Sequence, residues 1–146
     1  MISKIIAIYA LFAFITTLIR EIIKDIEDLE GDLRINSNTI PIRLGIKRTK
    51  YITILLSFIT MISIGYFQYF QYSILASTFE YKITIWGVNS YAVFYISLIQ
   101  LLLILISIKI YYANKKYDYY LVSILLKILM IIGILSIPIF TLLHIK

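Results

Sequence analysis

Four long apolar runs, separated by short polar segments, dominate the chain. The first covers 5–19 without a glycine, a proline or a charge, and continues directly into a charged segment. We therefore predict one helix over about 2–29, apolar at its beginning and polar at its end. Each run is close to the roughly 20 apolar residues that a helix needs to cross a bilayer. The pattern predicts an all-α integral membrane helical bundle of four transmembrane helices in a single membrane domain, 1–146. The remaining three apolar runs lie at 51–72, 91–112 and 119–143.

Composition supports the membrane assignment. Of the 146 residues, 61% are hydrophobic and 15% are charged, whereas soluble domains average about half apolar and about a quarter charged. There is no cysteine, so disulfides and thiolate ligands are excluded. The single histidine, His144, cannot form a multi-histidine metal site. A signal peptide is a less favoured interpretation of the first run, because no small-residue cleavage site follows it.

The charges are concentrated in one part of the chain. Six of the eight acidic residues lie between Glu21 and Asp32, and seven of the 14 basic residues lie within 20–50. The net charge of +6 is therefore not the diffuse basic surface that binds nucleic acid, and we expect no nucleic-acid partner. Pro41 and Gly45 are typical loop formers, and we predict a loop over 30–50 that follows the acidic helix end.

The distribution of lysine and arginine predicts the topology. Ten of these residues lie in 20–50 and in the 109–118 turn, against three on the other side of the predicted bundle. We expect an integral protein of the cell (inner) membrane. Because basic residues favour the cytoplasmic side, the acidic loop should be cytoplasmic and both termini should lie on the opposite, outer side.

The acidic residues at the helix end have helical spacing. Glu21, Asp25, Asp28 and Asp32 are separated by four, three and four residues, which places them on one face if the helix or a close continuation reaches Asp32. Like charges at this spacing repel each other, and a hard divalent cation such as Mg²⁺ offsets that repulsion. The alternative is a solvated helix end. On that interpretation the chain is a small four-helix membrane protein, not an enzyme, whose acidic cluster binds a cation or a partner's arginines.

The same segment resembles a known family. The stretch 20–32 reads REIIKDIEDLEGD, and Thr39, Pro41 and Gly45 follow in NTIPIRLG. This string resembles the second aspartate-rich motif of the UbiA superfamily of intramembrane prenyltransferases, most closely the geranylgeranylglyceryl phosphate geranylgeranyltransferase branch. The resemblance covers about 30 residues, from Arg20 to about Gly45.

The resemblance implies an enzyme that transfers a prenyl group from a prenyl diphosphate to a lipid or aromatic acceptor, with Mg²⁺ as cofactor. Asp28 and Asp32 match the metal-binding positions, and Asp25 is implied as a further ligand or a neighbour of the ligands. Lys24 and Arg20 are implied as catalytic residues that neutralise the charge developing on the diphosphate. Arg43 and Lys47 are candidate substrate-binding residues.

One further cation lies within a predicted span. Lys127 is about nine residues into the last apolar run, or about 13 Å deep at 1.5 Å per residue. An ionisable group at that depth is a candidate for substrate binding from within the bundle. The alternative is that its side chain reaches back toward the membrane surface.

The family pattern also contains an earlier motif, NDxxD, and about twice as many residues. This sequence contains no NDxxD. We therefore expect it to correspond to the carboxyl-terminal part of the family fold, a partial UbiA-type fold. On that interpretation the chain alone is inactive unless a separate chain supplies the first motif. The alternative to such a split enzyme is a truncated product or a fragment of a longer gene.

Overall fold

A computed structural model describes residues 2–78 and 90–144. This part of the chain consists of helices and contains no strand, which confirms the all-α prediction. The predicted linker at 80–90 lies outside the described residues, except for Ser90, where a helix begins. The helices are α1 (Ile2–Glu27), α2 (Leu29–Arg34), α3 (Ile40–Leu44), α4 (Ile46–Thr78), α5 (Ser90–Tyr112) and α6 (Lys116–His144).

Three stretches of the described helices are long and apolar enough to cross a membrane: Ile46–Tyr66, Val93–Tyr112 and Lys116–Ser136. They correspond to the second, third and fourth predicted spans. The first predicted span coincides with α1 and stays a prediction. The protein is thus an all-α membrane bundle.

The segment 30–50 differs from the predicted loop. It contains most of α2, all of α3 and the beginning of α4, which starts five residues before the predicted span. Pro41 lies in the first turn of α3, where its missing N–H costs nothing. Gly45 ends that helix with a positive φ of 81°, a conformation that glycine adopts without strain. The residues that indicate a loop in the sequence therefore serve as helix boundaries.

The four long helices pack as a closed ring in the described part of the chain. α1 contacts α4 and α6, and α5 contacts the same two helices from the other side. Short α3 packs against α1, α2 and α4 at the end of the bundle where the acidic motif lies. The core is almost entirely aliphatic, and its fully buried members include Ile19, Ile23, Leu103, Ile106, Ile110, Val122, Leu126 and Leu129.

The buried face of α4 carries hydroxyl side chains. Thr49, Thr53, Ser57 and Thr60 are all buried, and each hydroxyl donates to the carbonyl oxygen four residues earlier, at 2.7–3.0 Å. The side chains are therefore satisfied by the backbone of α4 and of Gly45 directly before it, as burial requires. Small residues of this kind allow helices in a membrane to approach closely.

α1 and α6 also approach closely. An ideal Cβ on Gly133 of α6 would lie 2.6 Å from Cε1 of Phe12 on α1. Nearby along the two helices, the hydroxyls of Tyr9 and Ser136 are 2.6 Å apart. The absence of a side chain at Gly133 thus leaves room for the Phe12 ring between the helices.

We predict that Gly133→Ala lowers the stability of the bundle by about 1–3 kcal/mol, the usual cost of overpacking. The measurement is thermal unfolding in detergent. Gly65→Ala is the matched control, because its Cβ would lie 3.7 Å from the nearest side-chain atom, an ordinary contact. Truncation of the ring in Phe12→Ala should reduce the cost of Gly133→Ala. Equal stability of Gly133→Ala and Gly65→Ala would contradict the assigned contact.

Candidate functional site

The acidic motif follows a nearly continuous helical path. α1 ends at Glu27, and Asp28 stands between it and α2 with φ −96° and ψ 11°. The backbone N–H of Asp28 donates to the carbonyl oxygen of Lys24 at 2.9 Å, and that of Asp32 donates to Asp28 at 3.1 Å. These are the four-residue hydrogen bonds of an α-helix. The helix therefore continues closely enough to reach Asp32, as the predicted common face requires.

The electrostatics of Asp25 show that the acidic residues act on one another. Asp25 lies at the polar end of α1, beyond the apolar run. Partial burial raises the pKa of its carboxyl above the usual value, and the charges of Asp32, Glu21 and Asp28 raise it further, in that order. Lys24 opposes them. Carboxylates that repel one another in this way are stabilised by a bound cation.

Three carboxylates do not converge on one point in the part of the chain that the structure describes. Among the described residues, no group of three or more acidic, histidine or cysteine side chains is arranged to hold a metal ion. Mg²⁺ is usually held by one or two carboxylates, with waters and substrate phosphates as the remaining ligands. The oxygen donors of Asp25, Asp28 and Asp32 suit Mg²⁺ in that partial role, and these three residues stay predicted ligands.

Two predicted catalytic cations lie beside the carboxylates on α1. The Arg20 side chain is only 21% exposed, and its Nη1 lies 2.5 Å from Oε1 of Glu21. Its Nε is buried and has no hydrogen-bond partner in the described part of the chain. A buried donor without an acceptor costs about 1–3 kcal/mol, so an oxygen-rich ligand would be favoured there. Lys24 is exposed.

The candidate substrate-binding residues lie in three places. Arg43, at the end of α3, is exposed and donates from Nε to Oδ1 of Asn38 at 3.3 Å. Lys47 is exposed on the first turn of α4. Lys127 is exposed on α6, about 17 Å along the helix from its start at Lys116. The structure does not bring Lys127 to the acidic motif, and its role stays a prediction.

The turn between α5 and α6 is fixed against the beginning of α4. The Lys50 ammonium donates to the carbonyl oxygens of Tyr111, at 3.4 Å, and Ala113. It lies 5.7 Å from the centre of the Tyr119 ring, and the Tyr119 hydroxyl donates to the same Ala113 carbonyl at 3.1 Å. Carbonyls at a helix end lack partners within the helix, and a lysine side chain supplies one here.

The other side of this turn is held by Asp118. Its carboxylate accepts the backbone N–H of Asn114 at 3.0 Å and of Lys115 at 2.9 Å. α6 begins at the next residue, Lys116, whose Nζ lies 3.7 Å from Oδ1 of Asp28. The turn therefore brings a cation from α6 to the acidic motif of α1 and α2.

Neither Lys50 nor Lys116 belongs to the predicted site residues. Lys116 is remote from the acidic motif in sequence, whereas Lys50 follows Asp32 by 18 residues, and both lie outside the family-like string. The only sequence signal for their proximity is the lysine and arginine count, which places 20–50 and the 109–118 turn on one side of the membrane. The structure confirms that these two segments meet at one end of the bundle.

Comparison with known proteins identifies relatives of part of this chain. It is 49% identical over 55 residues to a digeranylgeranylglyceryl phosphate synthase of Methanosphaera stadtmanae, a match that covers 38% of this chain and 20% of the relative. The synthase of the same name from Thermococcus kodakarensis is 44% identical over 54 residues, 37% of this chain and 20% of the relative. A third, from Methanosarcina barkeri, is 46% identical over 43 residues, 30% of this chain and 15% of the relative.

These matches confirm the resemblance to UbiA-type prenyltransferases over about 37% of the chain. The first of these matches covers about a fifth of the length of the relative. No family model and no solved structure matches the chain.

We predict that Lys50→Met destabilises the bundle by about 1–3 kcal/mol, because the carbonyl of Tyr111 at the end of α5 loses its lysine donor and that of Ala113 keeps only Tyr119. The measurement is thermal unfolding in detergent. Arg48→Met is the control, since Arg48 is an exposed cation two residues earlier on the same helix. If both variants unfolded at the same temperature, the Lys50 contacts would not stabilise the turn.

Proposed function

We propose that this chain forms part of a membrane prenyltransferase that moves a prenyl group from a prenyl diphosphate to a lipid acceptor. The observation that carries the proposal is the acidic motif, whose backbone continues with helical hydrogen bonds from the end of α1 through Asp28 to Asp32 in α2. Similarity to digeranylgeranylglyceryl phosphate synthases supports it, since that name describes the making of a prenylated glyceryl phosphate lipid.

In the proposed reaction, the bond between the prenyl carbon and the diphosphate oxygen breaks, and its electron pair leaves with the diphosphate. The acceptor oxygen then bonds to the prenyl carbon and releases its proton. Arg20 and Lys24 contact the diphosphate and stabilise the negative charge that it gains. The buried Nε of Arg20, which has no acceptor in the described part of the chain, is suited to that contact.

The cofactor in this proposal is Mg²⁺. Asp28 and Asp32 would hold it, with Asp25 beside them, and the diphosphate oxygens would complete its shell. When bound, the cation supplies positive charge to the leaving diphosphate. Arg43, from the end of α3, and Lys47, from the first turn of α4, bind the substrate. Lys127 on α6, which the structure does not bring to the acidic motif, stays a candidate from the sequence for a contact with another part of the substrate.

The acidic motif is the second of two that the family resemblance implies. We propose that the first motif comes from another polypeptide or from another part of a longer protein. The assembled protein lies in the cell membrane, with the acidic end of the bundle in the cytoplasm. Lysines and arginines at this end, ten against three, support that orientation.

We predict that Asp28→Ala and Asp32→Ala each abolish Mg²⁺-dependent prenyl transfer in a reconstituted assembly that contains both motifs. The reason is the loss of a carboxylate that holds the cation. The measurement is transfer of a radiolabelled prenyl group from its diphosphate to the lipid acceptor.

Glu30→Ala is the matched control for this experiment. Glu30 is an exposed carboxylate of the same short helix, and it is not among the groups whose charge acts on Asp25. We expect near-normal activity in Glu30→Ala. Wild-type activity in both aspartate variants would exclude the assigned site. It would favour the alternative that the acidic cluster of a non-enzymatic membrane protein binds a cation or a partner.

A further inference from the structure

We infer that Lys116 is a diphosphate-binding residue of this site, and that its ammonium neutralises Asp28 when cation and diphosphate are absent. The inference rests on the proposed function. It assigns a role to a residue that lies outside the acidic motif, on a different helix, and that the family-like string does not include.

Position is the first argument. The Lys116 ammonium lies 3.7 Å from Oδ1 of Asp28, one of the two carboxylates that match the metal-binding positions. In the described part of the chain, this is the ion pair that joins the acidic motif to a different long helix. A cation within reach of a metal-binding carboxylate is also within reach of an anion bound to that metal.

The second argument is that the backbone holding Lys116 is fixed. Asp118 accepts two N–H groups of the turn immediately before Lys116. Lys50 and the buried Tyr119 both donate to the carbonyl of Ala113 at the start of the same turn. Hydrogen bonds therefore hold this turn on both sides. They fix the backbone position of Lys116 beside the acidic motif.

The third argument concerns exchange of partners. Side-chain exposure is 70% for Lys116 and 51% for Asp28, so the pair is solvated. Exposed pairs of this kind contribute little to stability, and a flexible lysine stem allows the ammonium to change partners. A divalent cation competes with Lys116 for Asp28. The diphosphate that accompanies the cation then provides Lys116 with new oxygen acceptors.

The experiment uses the reconstituted assembly that contains both motifs, in lipid nanodiscs, with Mn²⁺ and inorganic diphosphate as probes. Mn²⁺ takes the same oxygen ligands as Mg²⁺, and its binding is measured by electron paramagnetic resonance. Diphosphate binding in the presence of Mn²⁺ is measured by calorimetry. We predict that Lys116→Gln binds Mn²⁺ up to about fivefold more tightly and diphosphate up to about fivefold more weakly, the range that an exposed ion pair allows.

Two control variants separate a specific contact from general charge. Lys115→Gln removes the same charge one residue earlier, from a side chain whose charge acts on Asp118 of its own turn. We expect it to change both affinities less than Lys116→Gln does. Lys116→Arg keeps the charge and should restore diphosphate binding. Equal effects of the two glutamine variants, or unchanged diphosphate binding in Lys116→Gln, would overturn the inference.

The same titrations distinguish this inference from the proposed function. If the wild-type assembly binds Mn²⁺ and diphosphate, Asp28→Asn weakens Mn²⁺ binding, and Lys116→Gln changes neither affinity, then the site stands and the role of Lys116 is wrong. If the wild-type assembly binds neither probe, the acidic motif is not part of a metal and diphosphate site, and the proposed function and the role of Lys116 are overturned together.

Discussion

Burial of a carboxyl among other carboxylates is the constraint on the acidic end of this protein. Partial burial is the largest cause that raises the pKa of the Asp25 carboxyl, and the charges of Asp32, Glu21 and Asp28 raise it further. A helix end with this charge needs positive partners, and the fold supplies them from two directions. Lys24 comes from the same helix, and Lys116 comes from the beginning of α6.

Packing of the four long helices against one another is what brings Lys116 of α6 to the acidic end. α1 packs against α6, and the absence of a side chain at Gly133 leaves room for the Phe12 ring between them. The α5–α6 turn then lies beside the acidic end, where Lys50 of α4 donates to its backbone. Hydroxyls on the buried face of α4 have backbone acceptors, and their small side chains allow that helix to pack closely. The position of Lys116 is therefore a consequence of the packing of all four long helices.

Much of the fold follows from the sequence, because the apolar runs are long and their boundaries are charged. The helix class, three of the spans and the common face of the acidic residues all follow from composition and period. The short helices within 30–50 were not predictable in the same way. Pro41 and Gly45 are typical both of loops and of helix boundaries, and the backbone hydrogen bonds from Arg43 to Thr39 and from Gly45 to Pro41 show the helical turn that lies between them here. Local sequence cannot choose between these roles, since packing against α1 and α4 decides it.

Only the part of the site that lies within one continuous stretch of sequence was predictable. Asp25, Asp28 and Asp32 belong to one string with helical spacing, so their arrangement can be derived from the period of the helix. Lys50 and Lys116 reach this end of the bundle through tertiary contacts, and no local pattern indicates them. The two lysines also differ in physical role. Lys50 is partly buried and bonds backbone carbonyls that have few other donors, whereas Lys116 is exposed and pairs weakly with Asp28. Lys50 therefore fixes the turn, while Lys116 remains available to exchange Asp28 for another partner. The ion pairs at the acidic end can change in this way without weakening the hydrogen bonds that hold the turn in place.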